Sequence, residues 1–188
     1  MINFKRLGIL IALVVLLQMP AWASVSTWSD LNDAADNASE GATVNIINDI
    51  TADGSSIGFL QKVLKLDFGN NKVNGGSYSD ESPLVFLGAG ASETKLEIIK
   101  ATFTGFNTEN GIIKGANPRI ELTDVSFINN NGMAINNEGY NGLVINAKNS
   151  DVNFKNNTTY GIKSNSNVYL NAYDGKTITL DDAISIDN

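Results

Sequence analysis

Apolar and polar residues alternate in two segments of the chain that also resemble each other. Residues 96–103 read Leu-Glu-Ile-Ile-Lys-Ala-Thr-Phe, and residues 120–127 read Ile-Glu-Leu-Thr-Asp-Val-Ser-Phe, at a constant offset of 24. Alternation with a period of two predicts β-strands, because successive side chains leave opposite faces of a strand. Gly and Asn residues follow both segments, and they favour tight turns.

Further copies extend this repeat toward both ends of the chain. Residues 143–147 match 168–172 at an offset of 25, residues 151–156 match 177–182 at an offset of 26, and a weaker copy lies at 64–71. A period of this size is typical of solenoids, in which each coil buries its apolar face only against its neighbours. We predict an all-β fold, a right-handed parallel β-helix, with the hand that parallel crossovers usually adopt. An antiparallel sandwich or barrel is the alternative for regularly spaced strands.

The inward-facing positions of the copies form the predicted core. This structural core repeat comprises Leu96, Ile98, Phe103, Ile120, Leu122, Phe127, Val152, Phe154, Ile178 and Leu180. We expect the Phe residues at positions 103, 127 and 154 to stack on one another. Asn129 and Asn156, at equivalent turns, are expected to form an amide ladder along the solenoid.

An apolar face at helical spacing precedes the first strand. It is formed by Trp28, Leu31, Ala35 and Ala38. Thr27 or Ser29 is suited to cap the start of this helix, and Gly41 its end. We predict that residues 24–41 cover the N-terminal end of the solenoid, because an open end exposes apolar core and unpaired strand edges. A surface helix with no capping role is the alternative.

Residues 1–23 have the features of a cleaved secretory signal peptide. Two basic residues precede an apolar run, 7–19, that is shorter than the roughly 20 residues needed to span a bilayer. Pro-Ala-Trp-Ala follows the run at residues 20–23, and its Ala-x-Ala pattern predicts cleavage between Ala23 and Ser24. An uncleaved anchor is the alternative, and no Cys lies near the cut for a lipid anchor. The protein is therefore expected to be exported: to the cell surface or outer membrane, or secreted, or periplasmic if no translocator is present.

Charge and composition narrow the classes of function. Without residues 1–23 the chain has 165 residues, of which 11 are basic and 20 acidic, a net charge of −9. This balance argues against nucleic acids and anionic lipid surfaces as partners. The chain has no His and no Cys, which excludes Ser-His-Asp and Cys-His nucleophile systems and the usual zinc sites.

Carboxylates are the remaining candidates for catalysis. Glu97 and Glu121 occupy equivalent positions of the two long copies, and both are expected to face solvent about one strand spacing apart. Lys95, Lys100 and Arg119 are near enough in sequence to balance them. We interpret this group as a solvated charged face, and we predict no catalytic residues.

A short glycine-rich segment partly matches a calcium-binding nonapeptide. The segment is Gly75-Gly76-Ser77-Tyr78-Ser79-Asp80, in which Tyr stands where the motif has its third Gly. The motif occurs once, whereas calcium sites of this kind need stacked copies. We interpret the segment as an ordinary turn and expect no metal and no cofactor.

Several short motifs resemble those of a known family. Phe127-Ile128-Asn129-Asn130 and Phe154-Lys155-Asn156-Asn157 resemble the Phe-x-x-Asn repeats of polymorphic outer-membrane proteins, and Gly132-Met133-Ala134-Ile135 is similar to their Gly-Gly-Ala-Ile element. Residues 28–31, 41–52 and 170–184 resemble segments of bacterial autotransporter passenger domains. The resemblance implies a surface-displayed right-handed β-helix, often adhesive, that a C-terminal β-barrel carries through the outer membrane. No amphipathic barrel strands follow here, so residues 42–188 are expected to be a β-helix truncated at its C-terminal end, with membrane contact only through the missing barrel.

Three functional hypotheses follow. The first is a non-enzymatic β-helix for surface adhesion or structural display, with host or neighbouring-cell glycans or proteins as partners and self-association through the open C-terminal edge. The second is a carbohydrate-active β-helix enzyme of lyase or glycosidase type. Such an enzyme needs a groove lined with carboxylates and aromatic residues, whereas the five Tyr residues are scattered along the sequence. The third is a non-functional remnant of a longer autotransporter.

Overall fold

Parallel strands stack on one another along the chain to form a β-solenoid of about five turns, with one short helix. This computed structural model describes residues 24–60, 63–76, 78, 81–87, 94–116 and 118–187. The predicted all-β parallel solenoid is confirmed, while its right hand stays a prediction. The predicted signal peptide and Ala23 lie outside the described residues, and Ser24 is the first described residue.

The turns contribute strands to three faces of the solenoid, and in two turns one long strand serves two of these faces. In chain order the strands are β1 Thr43–Asn45, β2 Ile50–Thr51, β3 Ile57–Leu60, β4 Leu64–Asp67, β5 Lys72–Asn74, β6 Leu84–Leu87, β7 Lys95–Thr104, β8 Asn107–Thr108, β9 Ile113–Gly115, β10 Arg119–Ile128, β11 Asn131–Gly132, β12 Ile135–Asn137, β13 Leu143–Ala147, β14 Val152–Lys155, β15 Ile162–Ser164, β16 Val168–Ala172, β17 Ile178–Leu180 and β18 Ile184–Ile186. The first face stacks β1, β4, β7, β10, β13 and β16 in that order, and another face stacks β3, β6, β9, β12, β15 and β18. The remaining face is formed by β2, β5, the later halves of β7 and β10, β14 and β17.

The stacking register has the offsets of the sequence repeat. Leu96 pairs with Ile120 and Phe103 with Phe127, while Phe127 pairs in turn with Phe154. Residues with the same character therefore lie directly above one another, and each turn buries its inward side chains against the next. The same register aligns outward side chains in rows across the turns.

Two residues in the left-handed backbone region bend the long strands at a corner. Lys100 has φ +55° in β7, and Asp124 has φ +57° at the equivalent position in β10. Non-glycine residues rarely adopt positive φ, and here it changes the strand direction without ending the strand. The bend explains why Ile98 and Ala101 both face the core although three positions separate them.

The predicted core residues lie in the interior of the solenoid, except at the last turn. The eight from Leu96 to Phe154 are at most 2% exposed, whereas Ile178 and Leu180 are partly buried. Neighbouring Phe rings stack along the axis, with centroids 5.1 Å apart between positions 103 and 127 and 5.2 Å apart between 127 and 154. In the last turn, Leu170 and Ile184 are partly exposed at inward-facing positions, because β16 and β18 each have a described strand on one side only.

Helix α1 spans Trp28–Asn37 ahead of the first turn. Thr27 is its N-cap and forms a capping box with Asp30, so the cap is not Ser29. Gly41 does not end the helix, because Ala38 is the C-cap and Gly41 lies in the following turn with φ +73°.

The buried face of α1 packs against β3. The Trp28 indole is buried, and its Nε1 donates a hydrogen bond to the Ser55 carbonyl at 3.0 Å. No helix in the described part of the chain has the length and apolarity needed to cross a membrane.

Two successive turns can approach each other closely at Gly132 because glycine has no side chain. Its φ is +136°, and an added Cβ would overlap the Thr108 carbonyl of the preceding turn. Gly132→Ala is expected to cost at least about 1–3 kcal/mol from backbone strain alone, measured as the free energy of unfolding in urea. Gly58→Ala is the matched control, because a Cβ there meets nothing within 4 Å. Equal stability of the two variants would contradict the prediction.

Candidate functional site

The outward side of the first face presents aligned rows of side chains. One row, in register across the turns, is Lys65, Glu97, Glu121, Val144 and Tyr169. The next row is Asp67, Ile99, Thr123, Asn146 and Asn171. Because strands in a sheet lie about 4.7–4.9 Å apart, the rows form one continuous surface that changes from charged to aromatic and amide along the axis.

The charged part of this surface is an ion-pair network. Lys95 Nζ lies 2.8 Å from Glu121 Oε2 and 3.9 Å from Glu97 Oε2, and Lys65 Nζ lies 3.8 Å from Glu97 Oε1. Lys95 thus bridges the two carboxylates that the repeat places side by side. Lys100 was expected to join them, but it pairs with Asp67 at 3.8 Å, because its left-handed backbone turns it away along the corner.

The environment of Glu121 favours a permanently ionised carboxylate. Burial alone would raise its pKa, but the hydrogen bond and charge of Lys95, with the charges of Arg119 and Lys148, lower the pKa below the ordinary value for Glu. A general acid near neutral pH needs a raised pKa. Glu121 is therefore suited to an electrostatic role in the surface and not to proton donation.

A groove opens where the charged rows give way to Tyr and Asn. The cavity has a volume of about 440 Å³ and is lined by Arg119, Asn141, Gly142, Val144, Tyr169 and Asn171. The Tyr169 side chain forms one wall, and the residue is 53% exposed. Arg119 lies at the other side, with its side chain 54% exposed and Nη2 4.0 Å from Glu121 Oε2.

The structure brings together tyrosines that are scattered in the sequence. Tyr169 lies on β16 and is 53% exposed. Tyr173 directly follows that strand and is 44% exposed, with Lys148 Nζ 5.8 Å from the centroid of its ring. Tyr140, 83% exposed, lines an adjoining depression with Asn167, whose Nδ2 donates to Tyr169 Oη at 3.3 Å. We call Arg119, Tyr140, Asn141, Tyr169, Asn171 and Tyr173 the Tyr–Asn surface.

The other two tyrosines are not part of this surface. Tyr78 is buried beside Phe106, and its hydroxyl shares a hydrogen bond with Ser56 Oγ at 2.5 Å. Burial raises the pKa of Tyr78 above its ordinary value. Tyr160 is half-buried, and its carbonyl accepts a hydrogen bond from the Ala134 amide of the preceding turn.

The chain matches no family model, no curated protein and no solved structure. The β-solenoid is compatible with the β-helix of the family that the sequence motifs resemble. Membership of the autotransporter passengers stays a prediction.

Asparagine side chains form ladders at the second corner. Asn156 Nδ2 donates to Asn129 Oδ1 at 2.8 Å, which is the expected exposed ladder. A second ladder, which the sequence analysis missed, is buried: Asn130 Nδ2 donates to Asn157 Oδ1 at 2.7 Å. These two residues are the final Asn of each Phe-x-x-Asn motif, so the motif itself carried the signal. The buried ladder is structural, because it satisfies backbone groups inside the corner.

No metal centre is seen in the described residues. They contain no group of three or more Asp, Glu, His or Cys side chains placed to hold a metal ion. Of the glycine-rich segment, Ser77, Ser79 and Asp80 lie outside the described residues. Gly75 lies so close to the backbone of Gly105 and Phe106 that no side chain fits there.

Asp124 is a buried carboxylate at the first corner and holds the next turn by hydrogen bonds. Its Oδ1 accepts from the backbone amides of Lys148 at 2.7 Å and Asn149 at 2.9 Å, and its Oδ2 from Asn149 Nδ2 at 2.7 Å. Burial alone would raise the pKa of Asp124, but the hydrogen bonds from Asn149, Lys148 and Ser150 lower it overall. The charged form is therefore part of the folded structure.

Asp124→Asn is expected to destabilise the protein in a pH-dependent manner. Since the folded-state pKa is lowered, the stabilisation by Asp124 is complete above the unfolded value of about 3.9 and is lost as pH falls through the folded value. The variant should lose about 1.5–3 kcal/mol at pH 7, and the difference from wild type should shrink below about pH 4. Urea unfolding at pH 7, 5 and 3 measures this, with the exposed Asp33→Asn as control. A difference that stays constant over this range would contradict the assignment.

Proposed function

We propose that the protein is an exported, non-enzymatic β-helix of autotransporter-passenger type that serves surface adhesion through its Tyr–Asn surface. One observation carries the proposal: exposed tyrosines, amides and an arginine line two depressions, one on the first face and one at the turns that precede its strands. Tyr and Asn are among the residues enriched in antibody binding loops, because Tyr offers large amphipathic contact area at low entropic cost and Asn adapts its hydrogen bonds. Glycans or proteins on a neighbouring cell are the proposed partners.

Tyr169 is exposed at the last described turn of the solenoid. The outward residues one turn earlier are covered by β16, since Val144, the register partner of Tyr169, is 8% exposed and Asn146 is 3% exposed. Tyr169 itself is 53% exposed, and no described strand stacks on the far side of β16. The proposed ligand would contact Tyr169 at this end of the surface together with Tyr140, which is 83% exposed in the turn before β13.

The chemistry of the carboxylates supports a non-enzymatic role. Glycoside cleavage uses two carboxyl groups whose environments set different pKa values, one of them raised. The pKa of Glu121 is lowered, and Glu121 and Glu97 share Lys95. A pair held in this manner is suited to organising a charged surface.

Tyr169→Ala is expected to weaken binding of the purified protein to glycan and cell-surface panels by at least about tenfold. The substitution removes the aromatic ring that lines the groove. A tenfold loss of affinity corresponds to about 1.4 kcal/mol of binding free energy. The measurement is binding of fluorescently labelled protein, with circular dichroism to verify folding. Ile47→Ala is the control, since Ile47 is exposed on an early turn away from the groove. Equal binding by both variants, or release of reducing sugar from any bound polysaccharide, would contradict the proposal.

A further inference from the structure

The groove of the Tyr–Asn surface combines features that a carboxylated sugar would need. An aromatic wall, a guanidinium and amide side chains face the same cavity of about 440 Å³, within the usual range for small-ligand sites. The three kinds of group differ in what they recognise.

Arg119 has the position and the donors to bind a carboxylate. Its nearest acid is Glu121, at 4.0 Å, yet the same Glu121 oxygen already binds Lys95 at 2.8 Å. Arg119 therefore makes only a long ion pair with Glu121, and it lines the groove. The planar guanidinium presents parallel N–H donors that match a carboxylate with two hydrogen bonds.

Tyr169 offers an aromatic ring to the same groove. It is the register partner of Val144, and both residues line the cavity. Gly142 keeps the space beside the ring open, since a Cβ there would lie 3.7 Å from Tyr169 Cε2. An aromatic ring with an apolar body and a polar tip suits an amphipathic ligand such as a sugar ring.

The amides complete the polar part of the groove. Asn171 donates one hydrogen from Nδ2 to Asn146 Oδ1 at 3.0 Å, which fixes the orientation of the side chain. An Asn amide has a second N–H donor and two acceptor positions on its oxygen. A side chain oriented in this manner is suited to pairing with adjacent hydroxyl groups.

The charged residues around the groove favour an acidic sugar over a neutral one. The protein is strongly acidic overall, yet on this part of the surface Lys95, Arg119 and Lys148 outnumber the two carboxylates, Glu121 and Glu97, which share Lys95. A local positive field on an acidic protein favours a compact anionic group, while the remaining negative charge repels long polyanions such as nucleic acids.

We propose that this groove is a subsite for a carboxylate-bearing sugar, with Arg119 binding the carboxylate, Tyr169 packing against the ring and Asn171 binding hydroxyls. The proposal rests on the adhesive function above and names its ligand class. A uronate and a sialate share this chemistry, and the test separates them.

The test is titration calorimetry of the purified protein with a hyaluronan tetrasaccharide, sialyllactose, the methyl ester of the hyaluronan fragment, and lactose. Binding of at least one acidic sugar is expected, with at least tenfold weaker binding of the methyl ester or lactose. Which acidic sugar binds identifies the source of the carboxylate.

Arg119→Gln should reduce affinity for the acidic sugar at least tenfold and leave the melting temperature unchanged. Lys163→Gln, the same change of charge on the strand β15 of another face, is the matched control and should bind as wild type. A fall in affinity with rising salt is also expected for the wild type, because the ion pair is exposed to solvent.

The outcomes separate this inference from the proposed function. If neutral sugars bind equally well and Arg119→Gln has no effect, the carboxylate subsite is overturned while the adhesive function stands. If an acidic peptide such as oligoglutamate competes as well as the sugar, the ligand class is wrong. If no glycan or cell surface binds at all, the adhesive function fails together with the subsite.

Discussion

Phe127→Asp is expected to abolish the folded solenoid. Phe127 is fully buried, and its ring lies between Phe103 and Phe154 at centroid distances of 5.1 and 5.2 Å. Loss of a buried Phe side chain alone costs about 3–5 kcal/mol, and the unpaired carboxylate adds a further cost of desolvation. The sum approaches the roughly 5–15 kcal/mol that holds a typical domain folded.

The measurement is far-ultraviolet circular dichroism with thermal melting. The variant should lose its β signal and its cooperative transition, and Phe127→Leu should retain both with a lower midpoint. Ile47→Asp introduces the same charge at an exposed position and should melt like the wild type. Retention of the β signal and midpoint by Phe127→Asp would mean that the inward assignment of this strand is wrong.

Asn130→Ala is expected to have the second largest effect, although it removes a polar side chain. Asn130 is 2% exposed. Its Oδ1 accepts from the Phe106 amide at 3.1 Å, and its Nδ2 donates to the Phe103 carbonyl at 3.2 Å as well as to Asn157. Buried groups that lose their partners cost about 1–3 kcal/mol each, so the variant should lose about 2–5 kcal/mol.

Asn131→Ala is the matched control for this prediction. It removes the neighbouring Asn from an exposed ladder, in which Asn131 Nδ2 donates to Asn107 Oδ1 at 2.7 Å. Because water replaces the lost bond there, the change should cost less than about 1 kcal/mol. Urea unfolding of both variants gives the comparison. A cost for Asn131→Ala equal to that for Asn130→Ala would show that burial does not decide the strength of these ladders.

The double variant Asn130→Ala with Asn157→Ala isolates the contact between the two amides. Residues in one buried network are expected to show coupling of about 0.5–3 kcal/mol. The coupling reports on the contact between the two amides, apart from the bonds that each amide makes to the backbone of the preceding turn.

The burial of the inward residues could be predicted from alternation and repetition in the sequence. Leu96, Phe103 and their copies recur at nearly constant offsets, and each repeat needs only its neighbour to bury them, so the pattern specifies both the strand and its stacking partner. The start of α1 was equally local, because a capping box involves residues three positions apart. The corner at Lys100 could not be predicted from the sequence. Lys100 and the equivalent Asp124 both have positive φ, and neither residue type indicates positive φ as strongly as Gly does.

The groove depended on contacts that the repeat does not specify. Tyr140 and Tyr169 meet through Asn167, and Arg119 lies two strands from Tyr169. The turns between the strands vary in length, so no fixed spacing in the sequence predicts that these residues lie close together. The sequence by itself therefore determined a β-solenoid and its inward residues, because alternation and repetition are local properties. Only the tertiary structure decided which outward side chains form one surface, because that depends on how each turn stacks on the next.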